Sequence, residues 1–187
     1  MTLLTLDVGG QDHLIGLQGG VTWTNIGLNN SLSKTTGFSG GLTYEYLHSK
    51  YFSFGTDIIY NQRGFKTDIN LLDNYIPTGE KEISKYNYDY ISFPIKTGFN
   101  IGHKFYGFGY IGIIPSLLVK ANVMKNKFNV AGGVIRSEII DLKHSASKFD
   151  MAELFEIGGG YKIKGKYWLF TSFSYQQSFT TSTNPEI

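Results

Sequence analysis

Apolar and small polar residues alternate one for one along most of this chain, and that period of two is its tightest constraint on fold. Between Tyr90 and Ile101, one parity reads Ile91, Phe93, Ile95, Thr97, Phe99, Ile101; the other reads Tyr90, Ser92, Pro94, Lys96, Gly98, Asn100. Successive strand side chains point to opposite faces, so such a strand has one greasy face and one lined by small polar groups. Phe52, Phe54, Thr56, Ile58 and Tyr60 oppose Ser53, Gly55, Asp57, Ile59 and Asn61 in the same way. Residues 15–23, 38–46 and 167–176 repeat the pattern, while 104–118 and 151–163 alternate less cleanly. Helical periodicity is hard to find. The longest apolar stretch, Tyr110 to Val119, is about half the ~20 residues of a membrane-spanning helix and carries Pro115.

The connections alternate too. Tight turns are expected at His48-Ser49-Lys50, Gly102-His103-Lys104 and Lys164-Gly165-Lys166, and long polar links at 25–36, 62–87, 120–150 and 178–187. In a meander this gathers short turns at one end and long loops at the other, as in outer-membrane barrels. The longest links are expected to carry strand extensions, such as Phe128–Val130 against Val134–Arg136. Counting from Leu14 gives seven strands, and an up-and-down closure needs an even number. Thr2 to Val8 supplies the eighth, with Leu4, Leu6 and Val8 opposing Leu3, Thr5 and Asp7, and Gly9-Gly10-Gln11-Asp12 as its turn.

The expected fold is therefore all-β: one domain over 1–187, an eight-stranded antiparallel up-and-down transmembrane β-barrel. Residues 2–8 form its closing strand. Both ends of the chain then fall at the long-loop end, as in a rearranged or permuted barrel. The alternative makes Thr2–Gly10 a remnant of an export signal, although Met1–Leu6 lacks a basic start and a long apolar run.

Composition decides which face meets what. Aromatics are 16% of the 187 residues and charged residues only 17%, against about 25% in a soluble domain. A soluble, lipocalin-like ligand-binding barrel would turn its greasy parity inward and its polar parity to water. Here the polar parity holds Gly16, Gly20, Gly41, Gly55, Gly98, Gly158 and Gly160 with a few charges, too small for a water-facing surface. The bulky parity is almost uncharged, as a lipid-facing band is. Trp23, Tyr46, Tyr60, Tyr106, Tyr161, Tyr167 and Tyr175 at strand ends suit interfacial girdles of the bacterial outer membrane.

An eight-stranded interior holds only side chains, and an isolated buried ion costs several kcal/mol. Lys96 is therefore expected to pair inside the lumen with one or more of Asp57, Glu45 and Glu156, with Lys162 and Arg63 serving nearer the ends. The expected lumen is plugged; a proton or ion path along these charges is the alternative.

Other chemistry has little support. A net charge of +2 spread along the chain makes no nucleic-acid patch, and zero Cys removes thiolate chemistry and Cys-based zinc sites. Carboxylates such as Asp68, Asp73, Glu80 and Glu82 are scattered rather than packed as a calcium loop. No metal, cofactor or catalytic residue is expected, and the chain is expected to be a monomer. An outer-membrane lipid-modifying enzyme would need a His–Ser pair at the membrane boundary, and the nearest match is His144-Ser145-Ala146-Ser147. Lys120 to Asp150 sets Lys120, Lys125, Lys127, Arg136, Lys143 and Lys148 against Glu138, Asp141 and Asp150, a net of +3. Such a loop is a candidate for recognising lipopolysaccharide phosphates or an envelope protein partner.

Tyr90-Ile91-Ser92-Phe93-Pro94-Ile95-Lys96-Thr97-Gly98 resembles the central strand of PorT-like outer-membrane barrels of the Bacteroidetes. So do Leu17-Gln18-Gly19-Gly20, Tyr51–Tyr60 with the following Asn61-Gln62-Arg63-Gly64, and Phe155–Gly160. The resemblance covers roughly residues 14–177, and the chain departs from it at its start and in the missing C-terminal strand. It implies a small outer-membrane barrel and, through the name-giving member, association with a secretion system that carries proteases to the surface. The expected function is non-enzymatic: structural or surface interaction, or an accessory role in envelope assembly or secretion.

Overall fold

The computed structural model describes residues 2–7, 13–24, 32–49, 51–73, 76–130, 132–163 and 167–179. These form ten strands: β1 (Thr2–Asp7), β2 (His13–Thr24), β3 (Leu32–Leu47), β4 (Phe52–Asp73), β5 (Ile76–Ser92), β6 (Ile95–Gly102), β7 (Phe105–Phe128), β8 (Val134–Asp141), β9 (Phe149–Ile163) and β10 (Tyr167–Ser178). All belong to one antiparallel sheet. β1 lies between β2 and β10, with Leu4 opposite Leu17 on one side and Leu169 on the other. β2 continues to β3, β3 to β4, and β7 to β9 to β10.

Between β4 and β7, one place in the sheet is shared by two strands. β6 pairs with Phe52–Thr56 and with Tyr106–Ile113; β5 pairs from Ile59 on one side and from Ser116 on the other. The stretch from Tyr90 to Ile101, expected as one strand, is thus broken at Phe93-Pro94. Proline has no N–H to give to the ladder. The backbone bridges the break: Asp57 N–H donates to the Pro94 carbonyl (3.1 Å), and Phe93 N–H to the Pro115 carbonyl (2.9 Å).

The count of ten exceeds the expected eight for that reason and because β8 is an added strand that pairs with β7. The links 62–87 and 120–150, expected as long loops, are mostly strand. β4 and β5 stay paired as far as Asp73 and Ile76, and Phe128 at the end of β7 faces Val134 of β8. Val8, the turn at Gly9–Asp12, most of the 25–36 link, Lys50, the turn at Lys164–Lys166 and the tail from residue 180 lie outside the described residues.

Side-chain parity sorts the wall. Ser53, Asp57 and Asn61 of β4 are buried while Phe52, Phe54 and Ile58 are exposed, and Lys96 is buried between exposed Ile95 and half-exposed Thr97. The soluble alternative required the greasy parity inside. Instead Leu17, Ile58, Ile95 and Ile157 are 54–68% exposed on the outside, far more apolar surface than a water-facing wall carries.

One part of the parity rule needs correction. On β7 the inward residues are large: Tyr106, Phe108, Tyr110 and Ile114 are buried, and Gly107 and Gly109 lie on the opposite parity. Tyr106, expected in the outer girdle, is therefore interior. It joins Leu14, Phe108, Tyr110, Trp168 and Phe170 in one core cluster. Glycines on the neighbouring strands make the room. Gly160, Gly158 and Gly98 stand directly across the ladder from Tyr106, Phe108 and Tyr110, and a Cβ on any of them would collide with those rings. At the turn before β7, Gly102 has φ +120°, a conformation L side chains rarely adopt.

Gly158→Ala forces its methyl into the Phe108 ring and the Thr171 carbonyl. It is expected to lower stability by about 1–3 kcal/mol, the usual cost of overpacking. Gly107→Ala, whose nearest neighbour would be a carbonyl at 3.8 Å, is expected to stay within about 0.5 kcal/mol of the parent. Denaturant unfolding of the two variants side by side checks the difference.

Candidate functional site

The interior charges meet at mid-height of the wall. Lys96 of β6 extends over Gly55 of β4, where a Cβ would stand 2.9 Å from its Cε and 3.1 Å from its Cγ. The missing side chain at Gly55 is the channel the lysine stem occupies. Its Nζ lies 3.0 Å from Asp57 Oδ2 and 3.3 Å from Glu156 Oε2, with all three side chains no more than 6% exposed. Thr43 Oγ1 donates to Asp57 Oδ1. The same ammonium stands 5.2 Å from the centre of the Tyr110 ring.

Glu45 joins through Tyr110 rather than through a direct ion pair. The Tyr110 hydroxyl donates to Glu45 Oε2 (3.1 Å) and meets Ser53 Oγ at 2.9 Å, while Asn100 Nδ2 donates to the same Ser53 oxygen at 2.9 Å. Tyr110, Ser53, Asn100 and Thr43 were not singled out from the sequence. Ser53 and Asn100 sit on the small polar parity, which already marked them as inward; Tyr110 lies in the strand whose alternation is unclear. The cluster joins strands that are not neighbours in the ladder: Lys96–Glu156 connects β6 to β9, and Tyr110–Glu45 connects β7 to β3.

Two further cations hold the levels above and below. Arg63 Nη1 meets Asp150 Oδ2 at 2.6 Å, its guanidinium lies 5.1 Å from the Tyr90 ring, and Ser178 Oγ donates to the same Asp150 oxygen at 3.0 Å. Lys162 Nζ sits 3.8 Å from the Trp168 ring centre and 5.4 Å from that of Tyr106. The lysine thus caps the aromatic cluster by cation–π contact.

The six basic residues proposed for recognition are not one patch. Lys127 and Arg136 face each other across the β7–β8 ladder, an opposition of like charges. Each takes a carboxylate: Lys127 meets Glu80 at 2.7 Å and Arg136 meets Glu138 at 3.0 Å. Lys125 stands opposite Glu138 in register. Lys120, Lys143 and Lys148 are exposed. His144 is exposed in the turn after β8, and Ser147 Oγ donates to the Phe149 carbonyl at 2.8 Å, so that hydroxyl is committed elsewhere. Ala146 of the same turn is buried against Tyr90, Leu118 and Ala121. Among the described residues, no group of three or more His, Asp or Glu side chains is placed to hold a metal ion.

Space around the cluster is small. The gap lined by Leu14, Glu45, Asn100 and the rings of Tyr106, Phe108, Trp168 and Phe170 amounts to about 10 Å³, room for roughly one water molecule. The arrangement braces strands against one another across the interior.

Lys96→Met leaves Asp57 and Glu156 buried without their cation, and is expected to cost about 3–5 kcal/mol. In an Asp57→Asn, Glu156→Gln background the same change is expected to cost far less, because no anion is orphaned. A double-mutant cycle on denaturant unfolding measures that coupling.

The family model described as "Outer membrane protein beta-barrel domain" matches residues 10–184, nearly the whole chain. No curated protein and no solved structure matches it. The match agrees with an antiparallel all-β sheet whose outer face is apolar and whose charges are turned inward. The chain belongs to the outer membrane protein β-barrel family, and its place is the bacterial outer membrane.

Proposed function

We propose that the sheet closes into an eight-position barrel with a solid lumen, and that the protein is a non-enzymatic scaffold for display at the cell surface. The ladder supports the closure: β1 pairs with β2 and β10, and β5 and β6 together fill the one place between β4 and β7. The observation that carries the function is the interior brace of Lys96, Asp57 and Glu156, with a gap of only about 10 Å³ among the neighbouring Leu14, Tyr106, Phe108, Trp168 and Phe170, which supports a filled lumen.

What the barrel presents is its hairpin end. β4, β5, β7 and β8 run on beyond the wall as a sheet, and short turns in such barrels face the periplasm while long hairpins face outward. Surface interaction through this sheet is the main role in this reading. Exposed Lys120, Lys143 and Lys148 are suited to lipopolysaccharide phosphates. The resemblance of residues 90–98 to the PorT-like central strand favours an accessory part in envelope assembly or secretion. A lipid-modifying enzyme is disfavoured by the Ser147 hydroxyl, which binds the Phe149 carbonyl.

Folded protein, identified by heat-modifiable gel migration, is expected to give no unitary conductance steps in planar lipid bilayers. Reproducible steps that vanish on heat unfolding would sink the solid-lumen reading and favour an ion path past Lys96.

A further inference from the structure

Among the described residues β8 pairs with β7 alone, so its other edge carries unpaired backbone groups. Leu142 N–H donates to the Ala121 carbonyl, which directs Arg136, Glu138 and Ile140 of β8 toward β7 and turns Ser137 and Ile139 to the open edge; before Arg136 the register shifts, with Val134 opposite Phe128. Open edges usually carry features that repel another strand. This one does the reverse. Val134, Ile135 and Ile139 are 52–64% exposed, and the only charges near the middle are Arg136 and Glu138, one on each side of Ser137.

We propose that β8 pairs antiparallel with β8 of a second copy of this chain, about a two-fold axis at Ser137. In that register Arg136 of each copy stands opposite Glu138 of the other, and Ile135 opposite Ile139, up to the register shift before Arg136. Opposite charges face each other and apolar residues face apolar ones along the strand. Moving the two-fold by one residue sets Arg136 against Ile140 with Glu138 opposite Glu138, or Glu138 against Val134 with Arg136 opposite Arg136. Parallel self-pairing brings Arg136 beside Arg136. The antiparallel register at Ser137 is the one that sets Arg136 against Glu138 on both sides of the axis. It also makes Ser137 and its symmetry mate a hydrogen-bonded pair, matching the groups that face the open edge, and leaves Arg136/Glu138 as the close-packed non-hydrogen-bonded pair. The present Arg136–Glu138 contact lies within one strand, with side chains 72% and 45% exposed, so both ends are free to turn to a partner.

The same symmetry sets the direction of the two barrels. β7 is one strand from Phe105 to Phe128, so the sheet bearing β8 continues the wall. An antiparallel edge pair has its two-fold normal to the sheet, which turns the second barrel end over end. The copies meet head to head, as between two facing outer membranes. A single strand pair is smaller than the roughly 1,200 Å² of a stable interface. The contact therefore works through many copies on opposed membranes, where multivalency raises the effective affinity. This direction rests on the closed-barrel reading.

The chain has no cysteine, so Ser137→Cys places a single thiol on the two-fold, at a Cα separation of about 5.5 Å that a disulfide spans. Two populations of phospholipid vesicles, carrying the variant with different tags, are mixed under mild oxidation. The expected product is a covalent dimer holding both tags. Adding Arg136→Glu sets like charges opposite each other and is expected to cut its yield about tenfold. Combining Arg136→Glu with Glu138→Arg restores complementarity and the yield. Heat-modifiable protein that gives no two-tag dimer overturns the proposal, as does a reversal that leaves the yield unchanged, a double swap that fails to rescue, or dimers confined to one vesicle population. Protein that is not heat-modifiable fails the barrel reading instead.

Discussion

A lysine held away from bulk water must have its counter-charges within reach, and the rest of this wall is arranged around that requirement. Lys96 finds Asp57 on an adjoining strand and Glu156 across the interior. Side chains in a strand alternate with a period of two, so a one-residue slip of β6 would turn Lys96 onto the apolar outer face. A slip of β4 or β9 would withdraw its anions. The ion pairs are thus best understood as setting register. Burying them costs desolvation that their attraction roughly repays, whereas the misregistered alternatives leave charges unpaired. The Tyr110–Glu45 bond extends the same logic to β3 and β7.

The brace works only because the wall is thin where the long side chains lie. Gly55 admits the stem of Lys96, and Gly98, Gly158 and Gly160 admit the rings of Tyr110, Phe108 and Tyr106. Glycine weakens a strand by leaving nothing to pack, and an aromatic ring laid across it from the next strand restores that contact. Outside, Phe99 lies over Gly109 in the same manner, at 3.2 Å from where a Cβ would be. The high glycine and aromatic contents are therefore one property of the chain, expressed on both faces.

Much of this was legible in the alternation. The burial of Ser53, Asp57 and Lys96, and the exposure of the bulky residues between them, follow from parity and composition alone. The inward placement of Tyr106, Phe108 and Tyr110 was hidden because an apolar residue suits both lipid and core. Only the glycines opposite them decide the matter, and those become opposite only once register is known. Pro94 was visible, yet its consequence, a strand split in two while the sheet stays continuous, depends on the carbonyls of Pro94 and Pro115 finding donors. The hairpin extensions were hidden because their polar residues read as loop. Strands beyond the apolar band no longer need a lipid-facing side.

The two ends of the molecule consequently obey different electrostatics. In the interior cluster Lys96, Asp57 and Glu156 are no more than 6% exposed, and removing one partner exposes the full cost of the other. In the extension, Lys127–Glu80 and Arg136–Glu138 are partly or largely solvated, where an ion pair is worth about 0–1 kcal/mol. Substitutions at β8 therefore leave the fold nearly untouched, while those at Lys96 do not. A rigid base with its charges satisfied internally frees the outer strands to carry whatever edge and charge pattern recognition demands. The near-palindromic run from Val134 to Ile140 sits on that unconstrained part of the chain.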